Sequence, residues 1–182
     1  MRLAVFVMGE RPTACPVRIY TCHTPTGLFS LTANILPAYE WEAVEMLTDT
    51  DYPDFLAKRW RERLPFVNVE QDVVPWPGAI ASLIECPESW CGMTYAPEQI
   101  VGTPIASPML GLVRFRPAFM AQLPDVWEPP WPTWGPRYWK ACDSRLVVFA
   151  DAHDPPLKFH QHFPAVTHAH GWRTIFGLES SL

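Results

Sequence analysis

"YPDFLAKRWRERLPFVNVEQDVVPWPGAIASLIECP", from Tyr52 to Pro87, is the stretch that decides the fold class. Its first part carries Tyr52, Phe55, Leu56 and Trp60 at helical spacing, and Pro65 stops it. One apolar stripe of this kind predicts an amphipathic helix. A short apolar run, Phe66 to Val69, follows and predicts a buried strand. After an acidic turn come Pro77, an apolar stripe of Ile80, Leu83 and Ile84, and a second stop at Pro87. Proline suits the first turn of a helix, so this segment predicts another helix. Helix, strand, turn, helix is the alternation of an α/β sheet with crossovers.

The flanks extend the pattern. "MRLAVFVMG" predicts a first buried strand and "VRIYTCHTP" a second. "YEWEAVEMLTDTD" fits a strand or a helix equally by period. "MLGLVRFRPAFM" predicts a strand followed by a turn or short helix, and "KACDSRLVVFADAHD" a helix starting near Asp143. "PDVWEPPWPTWGPRYW" reads as a loop, and the tail "HQHFPAVTHAHGW" as irregular chain. No repeat or low-complexity linker divides the sequence, so one domain over residues 1–182 is expected.

Composition narrows the function. At 48% hydrophobic and 18% charged residues, the chain is globular rather than disordered. A net charge of -5 argues against a general nucleic-acid or anionic-membrane binder, although a local basic patch is compatible with it. The 21 prolines cannot sit inside helices or central strands, so they imply many ordered loops. The 9 tryptophans serve either as platforms for flat ligands or as plugs in a core poor in regular structure. The five cysteines, Cys15, Cys22, Cys86, Cys91 and Cys142, match no zinc ribbon, and Cys86 and Cys91 read as packing residues. Met1 to Met8 is too short for a signal peptide or a span. A cytoplasmic chain with reduced thiols and no membrane span is the expectation.

The acidic turn is the first candidate site. In an extended strand Glu70 and Asp72 share one face and Gln71 points away. Ligands of open α/β sheets bind beyond the carboxyl ends of strands. Two neighbouring anions there raise each other's pKa unless a cation lies between them, and hard oxygen donors suit Mg²⁺ or Mn²⁺. The alternative is a pair of solvated acids at a loop start.

The run from Tyr52 to Tyr95, with "LGLVRF", "WKACD" and "HFPAVTHAH" further on, resembles small GT-A-type glycosyltransferases, in particular compact glycosyltransferase-like proteins common in bacteriophage genomes. The likeness covers roughly Tyr52 to Trp172. It implies a compact GT-A-like, Rossmann-like sheet flanked by helices, with Pro/Trp-rich loops. It implies an enzyme that moves a sugar from a nucleotide-diphosphate donor to an acceptor with the help of Mn²⁺ or Mg²⁺. Carried onto this sequence, Asp72 is the metal-binding acid, and Glu70 contacts the ribose or a metal-bound water. His168 or His170 adds a C-terminal metal ligand. Asp143 is an acid near the acceptor. Read from the residues themselves, Gly111 either allows close backbone approach to the donor or marks a bulge, and Trp139 is a candidate stacking residue of the donor site. The first acid is Glu where the family pattern has Asp, and the chain is short for a GT-A enzyme. An acceptor part that is reduced, or supplied by a protein partner, follows from that. The compartment would be the cytoplasm of the host cell if the gene belongs to a phage.

Asp143 is the chosen general base, with a first-turn helix acid as its alternative role and Asp125 as the next candidate. Trp127, Trp131, Trp134 and Trp139 are either stacking surfaces or core residues. Arg114 and Arg116 alternate as in an edge strand facing solvent, or else reach a diphosphate. Five of the six histidines fall between His153 and His170, with i, i+2 pairs at His160/His162 and His168/His170. Extended, each pair could hold one metal ion, which supplies a rival reading: a metal-dependent hydrolase using C-terminal histidines. A third reading is a non-catalytic GT-A-like binding module.

Overall fold

The computed structural model describes residues 17–25, 39–71, 73–75, 78–95, 110–131 and 141–168, and at 94–95 and 163–168 the backbone alone. The strand expected in "MRLAVFVMG" lies outside the described residues, as do Trp76 and Pro77.

The chain order is β1 (Arg18–His23), β2 (Trp41–Glu45), α1 (Asp51–Glu62), β3 (Phe66–Glu70), β4 (Val73–Val74) and α2 (Ala79–Glu85), then β5 (Trp90–Tyr95), β6 (Leu112–Phe115), α3 (Pro117–Gln122), α4 (Ala141–Ala152) and β7 (His160–His168). The strands line up as β2-β1-β3-β6-β5-β7, with the short β4 beyond β7. β1 is parallel to both β2 and β3. β6 is antiparallel to both of its neighbours, β3 and β5. β5 and β7 are parallel, and β7 pairs antiparallel with β4 at its far end. The fold class is therefore α/β as expected: a mixed sheet flanked by helices.

Alternation along the strands builds two cores. Tyr20, Phe66, Val113, Phe115 and Trp90 face α1, α3 and α4. Ile19, Val67, Val69, Leu112, Cys91 and Met93 face α2. On α1 the expected stripe is buried, with Leu56 at 0% and Trp60 at 3% exposure. Each such side chain contributes roughly 1.5–3 kcal/mol when withdrawn from water. Trp60 sits edge-on to Phe115, Phe119 and Trp127, and its Nε1 donates to the Leu123 carbonyl at 2.8 Å. Arg63 ends α1 in the left-handed region, its N–H donating to the Arg59 and Trp60 carbonyls. Gly78 stands before α2 at a φ of 84°, which favours glycine.

Four segments bear on the expectations. "WEAVE" is a strand, settled by pairing with β1 rather than by its own period. "WCGMTY" is a strand too, unforeseen behind its Pro- and Cys-flanked turn. α4 begins at Ala141, near Asp143 as expected. The tail is not irregular, since His160–His168 forms a nine-residue strand. Pro164 within it coincides with a register irregularity: Met93 pairs with His162 and Tyr95 with Val166. The extra residues carry the proline, which cannot donate to a ladder, past β5.

Candidate functional site

The carboxyl end of β3 collects several of the expected site residues. The strand stops at Glu70, and Gln71 is already in a turn. Gln71 Oε1 accepts from the Thr24 N–H (2.7 Å) and Thr24 Oγ1 (3.2 Å), tying the exit of β1 to that of β3. Asp72 lies outside the described residues, so the alternation expected to join it to Glu70 is described only as far as Glu70.

Beneath Glu70, on the same face of β3, is Asn68, which is fully buried. Its Nδ2 donates to the Tyr52 hydroxyl (2.9 Å) and to the Leu110 carbonyl (2.6 Å), and its Oδ1 accepts from the Cys22 thiol (3.6 Å). Asn68 thus links β1, α1, β3 and the segment before β6. Sequence reasoning passed over it, although an amide inside the apolar run "FVNV" is the kind of buried polar group that must be satisfied.

Leu110 and Gly111 bind the two acids of the site. The Glu70 N–H donates to the Gly111 carbonyl at 2.8 Å. The Leu110 N–H donates to Asp143 Oδ1 at 2.8 Å. The Gly111 backbone is therefore beside that of Glu70, and Asp143 is reached from the preceding residue. The carboxylate of Asp143 bonds this segment rather than acting only as a first-turn helix acid.

Electrostatics agree with the geometry. Burial pushes the Asp143 carboxyl up to about 6, opposed by the hydrogen bond from Leu110. The Asp143 residue keeps some exposed area while its carboxyl is enclosed. Burial also raises the Tyr52 hydroxyl well above its ordinary range, and the charges of Glu70 and Asp143 add to that rise. The Cys22 thiol is raised first by burial and then by Glu70. Tyr52 thus lies within the field of both carboxylates. A buried carboxyl raised toward neutrality is the pattern of acid–base chemistry.

His168 is at the same edge of the sheet. β7 sets its backbone opposite Val73, the residue after Asp72. His170, Trp134 and Trp139 lie outside the described residues. Asp125 is exposed on a turn. A cavity of about 290 Å³ lies beside β2 and α1, lined by Tyr20, Glu45, Asp51 and Arg59 among others. Neither Glu70, Gly111 nor Asp143 lines it.

Several other expectations are corrected. Trp127 is 2% exposed and packs on Trp60, so it is a core residue and no sugar platform. Trp131 is half-buried under the Arg145 guanidinium, 4.5 Å from its ring centre. Arg114 is fully buried, because β6 is a central strand and not an edge. Its guanidinium donates to the Glu88 carbonyl, and that of Arg116 to the Cys86 carbonyl. Both arginines hold the α2–β5 turn instead of a diphosphate.

Cys86, taken above as a packing residue, has a second feature. Its Sγ lies 3.1 Å from His160 Nδ1. Among the described residues, none has a helix long and apolar enough to cross a membrane.

No family model matches the chain, and no curated relative does. Two solved viral structures are similar in shape. A glycosyltransferase involved in the glycosylation of the major capsid of PBCV-1 aligns with 84% of this chain and 92% of its own, at 15% identity and a TM-score of 0.48. A197 from STIV aligns over 83% of each chain, at 11% identity and a TM-score of 0.47. Likeness at that level carries no assignment by itself. Neither neighbour is a bacteriophage protein, and the narrower resemblance to a phage family gains nothing from them. What the chain itself shows is a mixed α/β sheet flanked by helices.

Proposed function

We propose that this chain is a glycosyltransferase acting as one domain over residues 1–182, which uses a nucleotide-diphosphate sugar as donor. The observation that carries the reading is the pairing of Glu70 and Asp143 through Leu110 and Gly111, at the carboxyl end of a sheet strand. That edge is where α/β proteins hold nucleotides and diphosphates.

The chemistry follows from the residues. An acceptor hydroxyl beside Asp143 loses its proton to the carboxylate as its oxygen bonds the anomeric carbon. The bond from that carbon to the diphosphate oxygen breaks, and its electron pair leaves with the nucleoside diphosphate. Asp143 suits the proton transfer because a carboxyl near 6 is ionised at neutral pH yet more basic than an ordinary aspartate. Tyr52 and Asn68 hold the floor of the site rigid beneath Glu70. The donor set, hard carboxylate oxygens with a histidine nearby in register, fits Mn²⁺ or Mg²⁺. Asp72, Glu70 and His168 or His170 would hold that ion, which when bound supplies charge neutralisation for the departing diphosphate.

Calorimetric titration of UDP and GDP, each with and without Mn²⁺, tests the proposal in wild type, Asp72→Ala and Glu70→Gln. Metal-dependent binding of one nucleotide, lost in Asp72→Ala and weakened in Glu70→Gln, is the expected result. No heat with either nucleotide overturns it and leaves the non-catalytic module as the better reading.

A further inference from the structure

A second cluster lies on the opposite face of the sheet and at its opposite end. Cys86 is the residue that ends α2, its N–H donating to the Ser82 carbonyl at 3.0 Å. His160 and His162 open β7, where they pair in register with Cys91 and Met93 of β5. The side chains of Cys91 and Met93 face α2. Parallel register puts His160 and His162 on that same face. Glu70, by contrast, ends its strand, and its face is that of α1 and α4.

The three ligand atoms of Cys86, His160 and His162 lie within 4.8 Å of one another. Cys86 Sγ is 3.1 Å from His160 Nδ1, and the two imidazole rings are 4.7 Å apart between centres. In tetrahedral zinc sites the bonds are about 2.3 Å to sulfur and about 2.0–2.1 Å to nitrogen, which sets ligand atoms roughly 3.5 Å apart. The observed spread brackets that value. Cys86 is 4% exposed, His162 is half-buried and His160 is exposed. One side of the cluster is therefore open to water, as a three-ligand zinc site with a free fourth position requires. Cys86 ends a helix packed in the core and the histidines stand on a strand paired with β5, so the ligands are held by regular elements rather than by loops. The Arg116 guanidinium, bonded to the Cys86 carbonyl, fixes the backbone that presents the thiol.

We propose that Cys86, His160 and His162 bind one Zn²⁺ ion, joining the end of α2 to the start of β7. One thiolate and two imidazoles select a borderline-soft ion, whereas the Glu70 end offers oxygens suited to Mn²⁺ or Mg²⁺. The site does not depend on the transferase reading.

The test uses the full chain. Apoprotein is titrated with Co²⁺ and then with Zn²⁺. The expected result is a thiolate-to-metal charge-transfer band and the strong visible absorption of a four-coordinate ion, both saturating with one equivalent of Co²⁺ at this site and displaced by Zn²⁺. Cys86→Ser should abolish the charge-transfer band. His160→Gln, at an exposed position that does not endanger folding, should weaken binding more than about 100-fold, since even supporting residues outside the ligand set cost 10–100-fold. Glu70→Gln should leave both signals unchanged. Absence of the band in folded wild type, or its persistence in His160→Gln at full affinity, overturns the proposal.

Discussion

Glu70 and Asp143 are anchored to neighbouring residues of one segment. The Glu70 N–H meets the Gly111 carbonyl, and Asp143 Oδ1 meets the Leu110 N–H. The two residues lie far apart in sequence and on different elements, yet one two-residue segment holds the backbone of Glu70 and the carboxylate of Asp143. A movement of 110–111 shifts both together.

Replacing Asp143 separates activity from stability. Asp143→Asn keeps an acceptor for Leu110 but cannot take a proton, so sugar transfer should fall by about 10²–10⁴. In wild type, kcat/KM should rise with pH through about 6, and the rise should vanish in the variant. The folded carboxyl lies above its unfolded value of 3.8. Its contribution to stability is complete below that value and is lost as pH climbs through about 6. Asp143→Asn should accordingly be the more stable protein at pH 7, by on the order of 1–3 kcal/mol, and lose that advantage below pH about 4. Urea denaturation at the two pH values measures this.

Asn68 is the least replaceable polar residue of the core. Asn68→Ala leaves the Leu110 carbonyl and the Tyr52 hydroxyl without their shared donor. A loss of about 2–4 kcal/mol is expected from two buried groups left without that partner. Asn68→Asp should be worse, because it adds an anion beneath Glu70. Tyr52→Phe, which removes one partner only, should cost about 1 kcal/mol. Chemical denaturation should show the largest loss in Asn68→Asp, a smaller one in Asn68→Ala and the smallest in Tyr52→Phe.

Gly92 is needed for room. A Cβ there would stand 2.8 Å from Phe159 Cζ and 2.9 Å from the Leu112 carbonyl oxygen. The phenyl ring can shift, but the oxygen belongs to the β5–β6 ladder and cannot. Gly92→Ala should lower stability by about 1–3 kcal/mol. The melting temperature reports it, and an unchanged value would contradict the contact.

Arg145 holds the Pro/Trp-rich loop by its carbonyls. Its guanidinium donates to Val126, Glu128 and Pro130, and lies over the Trp131 and Phe149 rings. A lysine cannot reproduce a planar fork that serves three acceptors. Arg145→Lys should cost about 2–4 kcal/mol, and proteolysis should begin near Trp131 before it begins elsewhere.

The parts legible in the sequence were those determined locally. Tyr52, Phe55, Leu56 and Trp60 form a stripe by their own spacing, and Pro65 and Pro87 end helices whatever lies around them. Strand order was not legible, because β6 enters between β3 and β5 only through long-range pairing. The same distance hid Arg114, which reads as an edge residue until both neighbours of β6 are known. Glu70 was named from its place at the end of an apolar strand and Asp143 from resemblance, and the segment 110–111 hydrogen-bonds both residues. Asn68 could have been suspected from its place in an apolar run. The link from Cys86 to His160 could not, since no spacing rule spans 74 residues.

The reversed strand β6 also dictates an order of events during synthesis. β1, β2, α1 and β3 emerge from the ribosome as a parallel trio, with one flank of β3 unpaired. That flank is closed only when β6 arrives, and β5 then awaits β7 for its own second partner. Newly made chains therefore pass through intermediates with open strand edges, which favour pairing with a neighbouring nascent copy. Yield in a host cell should thus depend on translation rate and chaperone supply more than on the stability of the finished sheet.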